Sequence, residues 1–271
     1  MLSAEIVAAR SEFSIRAWTC HPHRAGWSPV ERPIDARLVL VRAGRFRRRG
    51  SAGTVDLDRT IGYLGEPREE EQFAHPLGGD ACTSVQLSPG AWRRLVGDAG
   101  RIGVSTVYVD ARTELAHRRL LAAGPFDVDY RLAEEVIRLL AVALRDAARR
   151  TPMHDEGGPF DRRLVERARE SIHDGHPAAG GLFGLAELVG ASPYRLSRAF
   201  PRELGVSVTR YRNRVRVGWA LDQIGRGESS LADVAASLGF ADQAHLTRTM
   251  REHVGQTPAA LRRALAAQQN G

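Results

Sequence analysis

The chain has 271 residues, 43% of them hydrophobic and 26% charged, which suits one or two compact domains and excludes a disulfide miniprotein or a disordered tail. All 39 basic residues are arginine, the net charge is +7, and residues 159–271 carry 16 arginines against 11 acids, so nucleic acid is the first partner to test. No run approaches the ~18 consecutive apolar residues of a membrane helix, and Met1-Leu2-Ser3-Ala4-Glu5 lacks a signal peptide's layout, so a soluble cytoplasmic protein with no membrane partner is expected.

Short alternating runs come first: Phe13–Trp18, Ala36–Arg42, Thr54–Leu57 and Ser84–Leu87, separated by Gly, Pro and Asp clusters. Strands broken at this spacing suggest a barrel or sandwich. The run Arg45, Arg47, Arg48, Arg49 reads as a charged strand edge, and Glu69-Glu70-Glu71 as a solvated turn. Trp18, Trp27, Trp92 and Trp219 read as core or cap residues.

From Ala111 to Arg150 the period becomes helical. Leu115, Leu120 and Leu121 fall on one helix, and Leu132, Val136, Leu139, Leu140 and Leu144 form a wide apolar stripe on a second. That stripe can cover the barrel, pack on its neighbour or join two subunits. The breaker-rich stretch 151–159 then reads as a linker between a first domain, 1–150, and an all-helical second domain, 160–271.

The second domain repeats itself. Ser192 matches Asp242, Leu196 matches Leu246, Arg198 matches Arg248 and Gly205 matches Gly255 at an offset of 50, whereas Ala186 pairs with Ala235 and Gly190 with Gly239 at 49. The second copy therefore has one extra residue in its turn. In each copy a small residue lets two helices approach, a glycine takes the left-handed conformation that ends the first helix, and Ser192 or Asp242 caps the second. Two helix-turn-helix motifs in register are a far stronger signal than one.

Leu196, Ala199, Phe200, Leu246 and Met250 point inward. The outer faces carry Tyr194, Arg195, Ser197 and Arg198, then Gln243, His245, Thr247, Arg248 and Arg251, side chains suited to base edges and phosphates. Val208–Gln223 reads as one connecting helix. If it separates the recognition helices by about one duplex turn, ~34 Å, one chain reads two successive major-groove segments. Arg210 with Arg214, and Arg212 with Arg216, are i,i+4 pairs on it, facing either phosphate or solvent. Pro201 falls inside the first recognition helix, which is expected to kink or end early.

Leu231-Ala232-Asp233-Val234-Ala235, Leu238-Gly239-Phe240-Ala241-Asp242-Gln243-Ala244-His245-Leu246-Thr247-Arg248, Gly255-Gln256-Thr257-Pro258 and Leu261-Arg262 resemble the signature of the AraC/XylS transcription regulators, over roughly residues 160–265. The resemblance implies an α+β chain: an N-terminal cupin-like β-barrel with helices, which senses a ligand or mediates dimerisation, followed by a seven-helix, all-α tandem helix-turn-helix DNA-binding domain. It implies a non-enzymatic regulator, double-stranded DNA as partner, RNA polymerase if it is an activator, and a possible small-molecule effector and homodimer.

His21-Pro22-His23 followed by Glu31 resembles the metal motif of catalytic cupins, but the gap of seven residues is too long for it. A metal-dependent cupin-type enzyme stays as the alternative, alongside a regulator whose input is zinc or thiol redox. For that input the candidate ligands are Cys20, His23, His75 and Cys82, because two thiolates and two imidazoles suit a closed tetrahedral zinc site.

Overall fold

The computed structural model describes residues 2–21, 26–51, 53–76, 78–96, 105–122, 129–149, 159–227 and 230–269. It divides into two compact units, Met1–Val109 with Leu115–Thr151, and Asp110–Glu114 with Pro152–Gly271. Of the expected linker only Pro159 is described, and it opens a helix.

The first unit contains β1 (Leu2–Ala9), β2 (Phe13–Cys20), β3 (Ala36–Ala43), β4 (Phe46–Gly50), β5 (Gly53–Leu57), β6 (Ile61–Gly65), β7 (Gln72–Ala74), β8 (Asp80–Leu87) and β9 (Thr106–Tyr108), with α1 (Pro89–Val96), α3 (Asp129–Arg149) and α2 (Ala111–Ala122) from Leu115 on, the residues of α2 up to Glu114 belonging to the second unit. The strands form a six-stranded sheet of order β1-β2-β8-β3-β6-β9 and a three-stranded sheet of order β5-β4-β7, with every pairing antiparallel. The four alternating runs all lie in strands.

Period-two alternation gives the large sheet two different faces. Leu38, Leu40, Val85 and Leu87 join one core with Leu132, Val136, Leu139 and Leu140 of α3. The apolar stripe thus covers the sheet. Burying each such side chain stabilises by about 1.5–3 kcal/mol. The opposite face turns Trp18, Cys20, Arg37, Val39, Asp80 and Cys82 into a cavity of about 280 Å³, which Phe46 and Phe73 of the small sheet also line. Trp92 is in the core as expected, whereas Trp18 is a wall of the cavity.

Two charge runs behave differently from expectation. β4, which carries Arg47–Arg49, is the central strand of its sheet and not an edge. Arg48 and Glu71 are each 1% exposed and 2.7 Å apart, Arg48 also pairs with Glu69 at 2.6 Å, and Arg37 reaches the other oxygen of Glu71. Each run looks solvated in isolation; burial becomes tolerable because each supplies the other's counterions.

The second unit holds seven α-helices among its described residues: α4 (Pro159–His173), α5 (Leu182–Leu188), α6 (Pro193–Leu204), α7 (Val208–Arg226), α8 (Leu231–Ser237), α9 (Gln243–Val254) and α10 (Pro258–Gln269). The α+β architecture with an all-helical second half is the expected one. Leu196, Ala199, Phe200, Leu246 and Met250 are buried, as the repeat requires.

Candidate nucleic-acid interface

Each helix-turn-helix motif is assembled from the same parts. The turn after α5 spans Val189–Ser192 and the turn after α8 spans Leu238–Asp242, one residue longer. Gly190 has φ +66° and Gly239 φ +68°, the left-handed region that a β-carbon disfavours. Ser192 Oγ accepts from the Arg195 N–H at 3.2 Å, and Asp242 Oδ1 accepts from the His245 N–H at 2.6 Å, so both recognition helices, α6 and α9, are capped as expected.

A further element of the repeat escaped the sequence reading. Arg167 on α4 donates to the Val189 carbonyl, and Arg216 on α7 donates through Nε to the Leu238 carbonyl at 2.9 Å. Both arginines thus bond the turn residue just before the left-handed glycine. Arg216 also stacks 3.7 Å above the Phe240 ring centroid, and burial, with Arg212 nearby, lowers its pKa to about 10, so it remains a cation at neutral pH. The offset of 49 links Arg167 to Arg216 as it links the glycines, and extending the alignment upstream would have found the pair.

The outward-facing candidates divide into three groups. Tyr194, Ser197, Arg198, Arg210, Gln243, Arg248 and Arg251 are exposed. Within α6, Ser197 donates to the Tyr194 carbonyl and Arg198 Nη1 donates to the Tyr194 hydroxyl at 3.3 Å. Thr247 and His245 are half-buried, and His245 is engaged by its own turn: Nδ1 accepts from the Ala241 N–H at 3.3 Å and the ring packs on Phe240. Arg195 is exposed but tied to α4, pairing with Asp161 at 2.9 Å and stacking on Phe160.

Arg214 is a correction. It is 2% exposed and pairs with Glu114 at 2.7 Å in the same compact unit, so its guanidinium is a core cation and not a surface phosphate contact. Spacing places it four residues after exposed Arg210, but at that height α7 is enclosed: Val215, Arg216 and Val217 are buried as well. Pro201 is a second correction. α6 continues through it to Leu204 and ends at left-handed Gly205, because a proline this late removes only the bond to the Ser197 carbonyl.

In the first unit, Cys20, His75 and Cys82 line one cavity, while His23 lies outside the described residues. The potential ligand atoms that lie within 4.8 Å of one another belong to Cys20, His75 and Asp80, so the carboxylate takes the place expected for Cys82. The register explains it: Cys20 pairs directly with Asp80 and Trp18 with Cys82, and directly paired residues share a face. Asp80 stands two residues before Cys82 in the strand, a signal the cysteine count overlooked. Burial, then the Asp80 charge, pushes the Cys82 thiol up to about 12 and raises the Cys20 thiol.

The geometry of the second unit defines a tandem helix-turn-helix domain. Residues 185–264 match the family model described as a helix-turn-helix domain. The Arabinose operon regulatory protein of Escherichia coli is 32% identical over 106 residues, 38% of this chain and 36% of that protein. The Bifunctional transcriptional activator/DNA repair enzyme AdaA of Bacillus subtilis is 30% identical over 81 residues, 30% of this chain and 38% of that protein. The chain thus spans well under half the length of these curated relatives. Among solved structures, ToxT from Vibrio cholerae aligns over 94% of this chain and 99% of its own with a TM-score of 0.38 and 8% identity. A cupin domain from Bordetella pertussis aligns over 32% of this chain and 93% of its own with a TM-score of 0.27 and 14% identity. Among the described residues no helix is long and apolar enough to cross a membrane.

Proposed function

We propose that the chain is a sequence-specific, DNA-binding transcription regulator whose α6 and α9 enter two successive major-groove segments of double-stranded DNA. The observation that carries this reading is the parallel construction of the two motifs. Each has a left-handed glycine, a capped recognition helix and an arginine bonded to the turn carbonyl, and each presents an exposed arginine at the matched position, Arg198 or Arg248. Duplicated presentation of donors suits base-edge contacts, and the exposed Arg210 and Arg251 are the phosphate contacts in this reading.

By name one relative is a regulatory protein and the other both a transcriptional activator and a DNA repair enzyme, which supports regulation for the matched segment. Residues 1–150 are the controlling domain and 160–271 the DNA-binding domain in this reading. The cavity of the first unit is the place for an effector, and RNA polymerase is the partner if the protein activates. Selecting bound duplexes from a random pool with the full chain, then measuring gel shifts on the enriched site, tests this. A recurrent motif with two half-sites about one helical turn apart is expected. Recovery of random sequence would reject it.

A further inference from the structure

Three groups of different chemistry meet in the cavity of the first unit. Cys20 ends β2, Asp80 begins β8 directly opposite, and His75 follows β7. The ligand atoms of all three lie within 4.8 Å of one another. The donors of a tetrahedral zinc centre lie about 3.3–3.8 Å apart, from metal–ligand lengths of about 2.0–2.3 Å. The cluster is therefore within a small side-chain adjustment of coordination geometry.

A second observation points the same way. His75 Nδ1 and Asp80 Oδ1 are buried and meet as an ion-pair contact at 2.6 Å, without the alignment of a hydrogen bond. The Asp80 side chain is only 3% exposed. The contact already sets an imidazole nitrogen against a nearly buried carboxylate oxygen, two donors that a cation can share once they part to about 3.3 Å.

We propose that Cys20, His75 and Asp80 bind a thiophilic divalent cation of the zinc class, with its fourth position open to the cavity. One sulfur, one imidazole and one carboxylate are borderline-soft donors that suit Zn²⁺ and exclude Mg²⁺ or Ca²⁺, which prefer oxygen alone. The open side faces aromatic walls at Phe46 and Phe73, so a ligand in the cavity can reach the ion directly. Cys82 lines the same cavity outside the ligand cluster and is a neighbour, not a ligand. The site goes beyond the DNA-binding reading and does not depend on it.

The test uses the full chain without DNA, titrated with Co²⁺ alone and then displaced by Zn²⁺. Saturation near one ion per chain is expected, with a near-ultraviolet thiolate-to-cobalt band and the strong visible bands of a tetrahedral centre. Cys20→Ser abolishes the thiolate band and weakens binding at least about tenfold, and Asp80→Asn and His75→Gln weaken it similarly. Cys82→Ser keeps both band and affinity. Circular dichroism checks each variant's fold; Cys20→Ser, at a half-buried position, decides if buried Asp80→Asn fails to fold. Absence of the band in the unaltered chain, unchanged binding in Cys20→Ser, or loss in Cys82→Ser as severe as in Cys20→Ser overturns the assignment.

Discussion

Arg216 holds the turn of the second helix-turn-helix motif by donating its Nε–H to the carbonyl of Leu238 at 2.9 Å. Its counterpart Arg167 does the same for Val189. A turn ending in a left-handed glycine leaves helix carbonyls without intrahelical donors, and a guanidinium cation is a strong partner for one of them. The positions of α6 and α9 relative to the preceding helices therefore depend on these two contacts.

Arg216→Met retains bulk against Phe240 and deletes the donor. Urea unfolding of the full chain should show a loss of about 1.5–3 kcal/mol, the range for hydrogen bonds to charged groups. DNA affinity should fall as well, although Arg216 is buried and touches no DNA in this account. Unchanged stability would remove the turn-holding role.

Gly239→Ala and Gly190→Ala test the turns directly. A β-carbon at Gly239 meets nothing closer than 3.9 Å, and one at Gly190 nothing closer than 3.8 Å, so any cost comes from backbone conformation. Each substitution should destabilise by about 1–2 kcal/mol, with Asn milder than Ala. A null effect on the denaturation midpoint would contradict the left-handed geometry.

The second unit was more legible than the first, for a physical reason. A repeated unit prints its packing twice, so Leu196 with Leu246 and Gly190 with Gly239 confirm one another in the sequence. Strand contacts are non-local and print nothing of the kind. Arg48 meets Glu71 only after β4 enters the centre of its sheet, and Asp80 meets Cys20 only through the β2–β8 register. Short β7 and β9 carry too few residues to show alternation. Arg214 failed for a related reason: helical spacing gives the face of a residue but not how far along the helix the surroundings close over it.

Arg214→Met leaves Glu114 buried without its cation. Breaking a buried pair this way should cost about 3–5 kcal/mol. The salt dependence of DNA binding should be unaltered in any fraction that stays folded. Exposed Arg210 should behave oppositely: Arg210→Ala leaves stability nearly intact and lowers the slope of log K against log salt by about 0.9 if it contacts one phosphate. Equal slope changes in the two variants would reverse the correction at Arg214.

His253 supplies a pH dependence. It is buried, and burial first, then Arg210, lowers its pKa from 6.5, with Glu252 opposing, Arg214 lowering it further and Asp110 raising it. Below 6.5 the unfolded chain binds a proton that the folded chain resists, so this contribution to stability is full above 6.5 and falls with pH until the lower folded value is passed. Unfolding titrations from pH 8 to pH 5, about the range over which histidines titrate, should show a decline that His253→Gln reduces. Identical pH profiles for the two proteins would reject it.

The central claim is that α9 reads bases, and Arg248 is its most telling residue. The decisive measurement is the affinity of the full chain and of Arg248→Ala for the selected duplex and for a scrambled duplex, at one fixed salt concentration. Unaltered protein should prefer the selected site, and Arg248→Ala should lose about 1–3 kcal/mol there and much less on the scrambled duplex. No preference by the unaltered protein, or an equal loss on both duplexes, would contradict base reading by this helix.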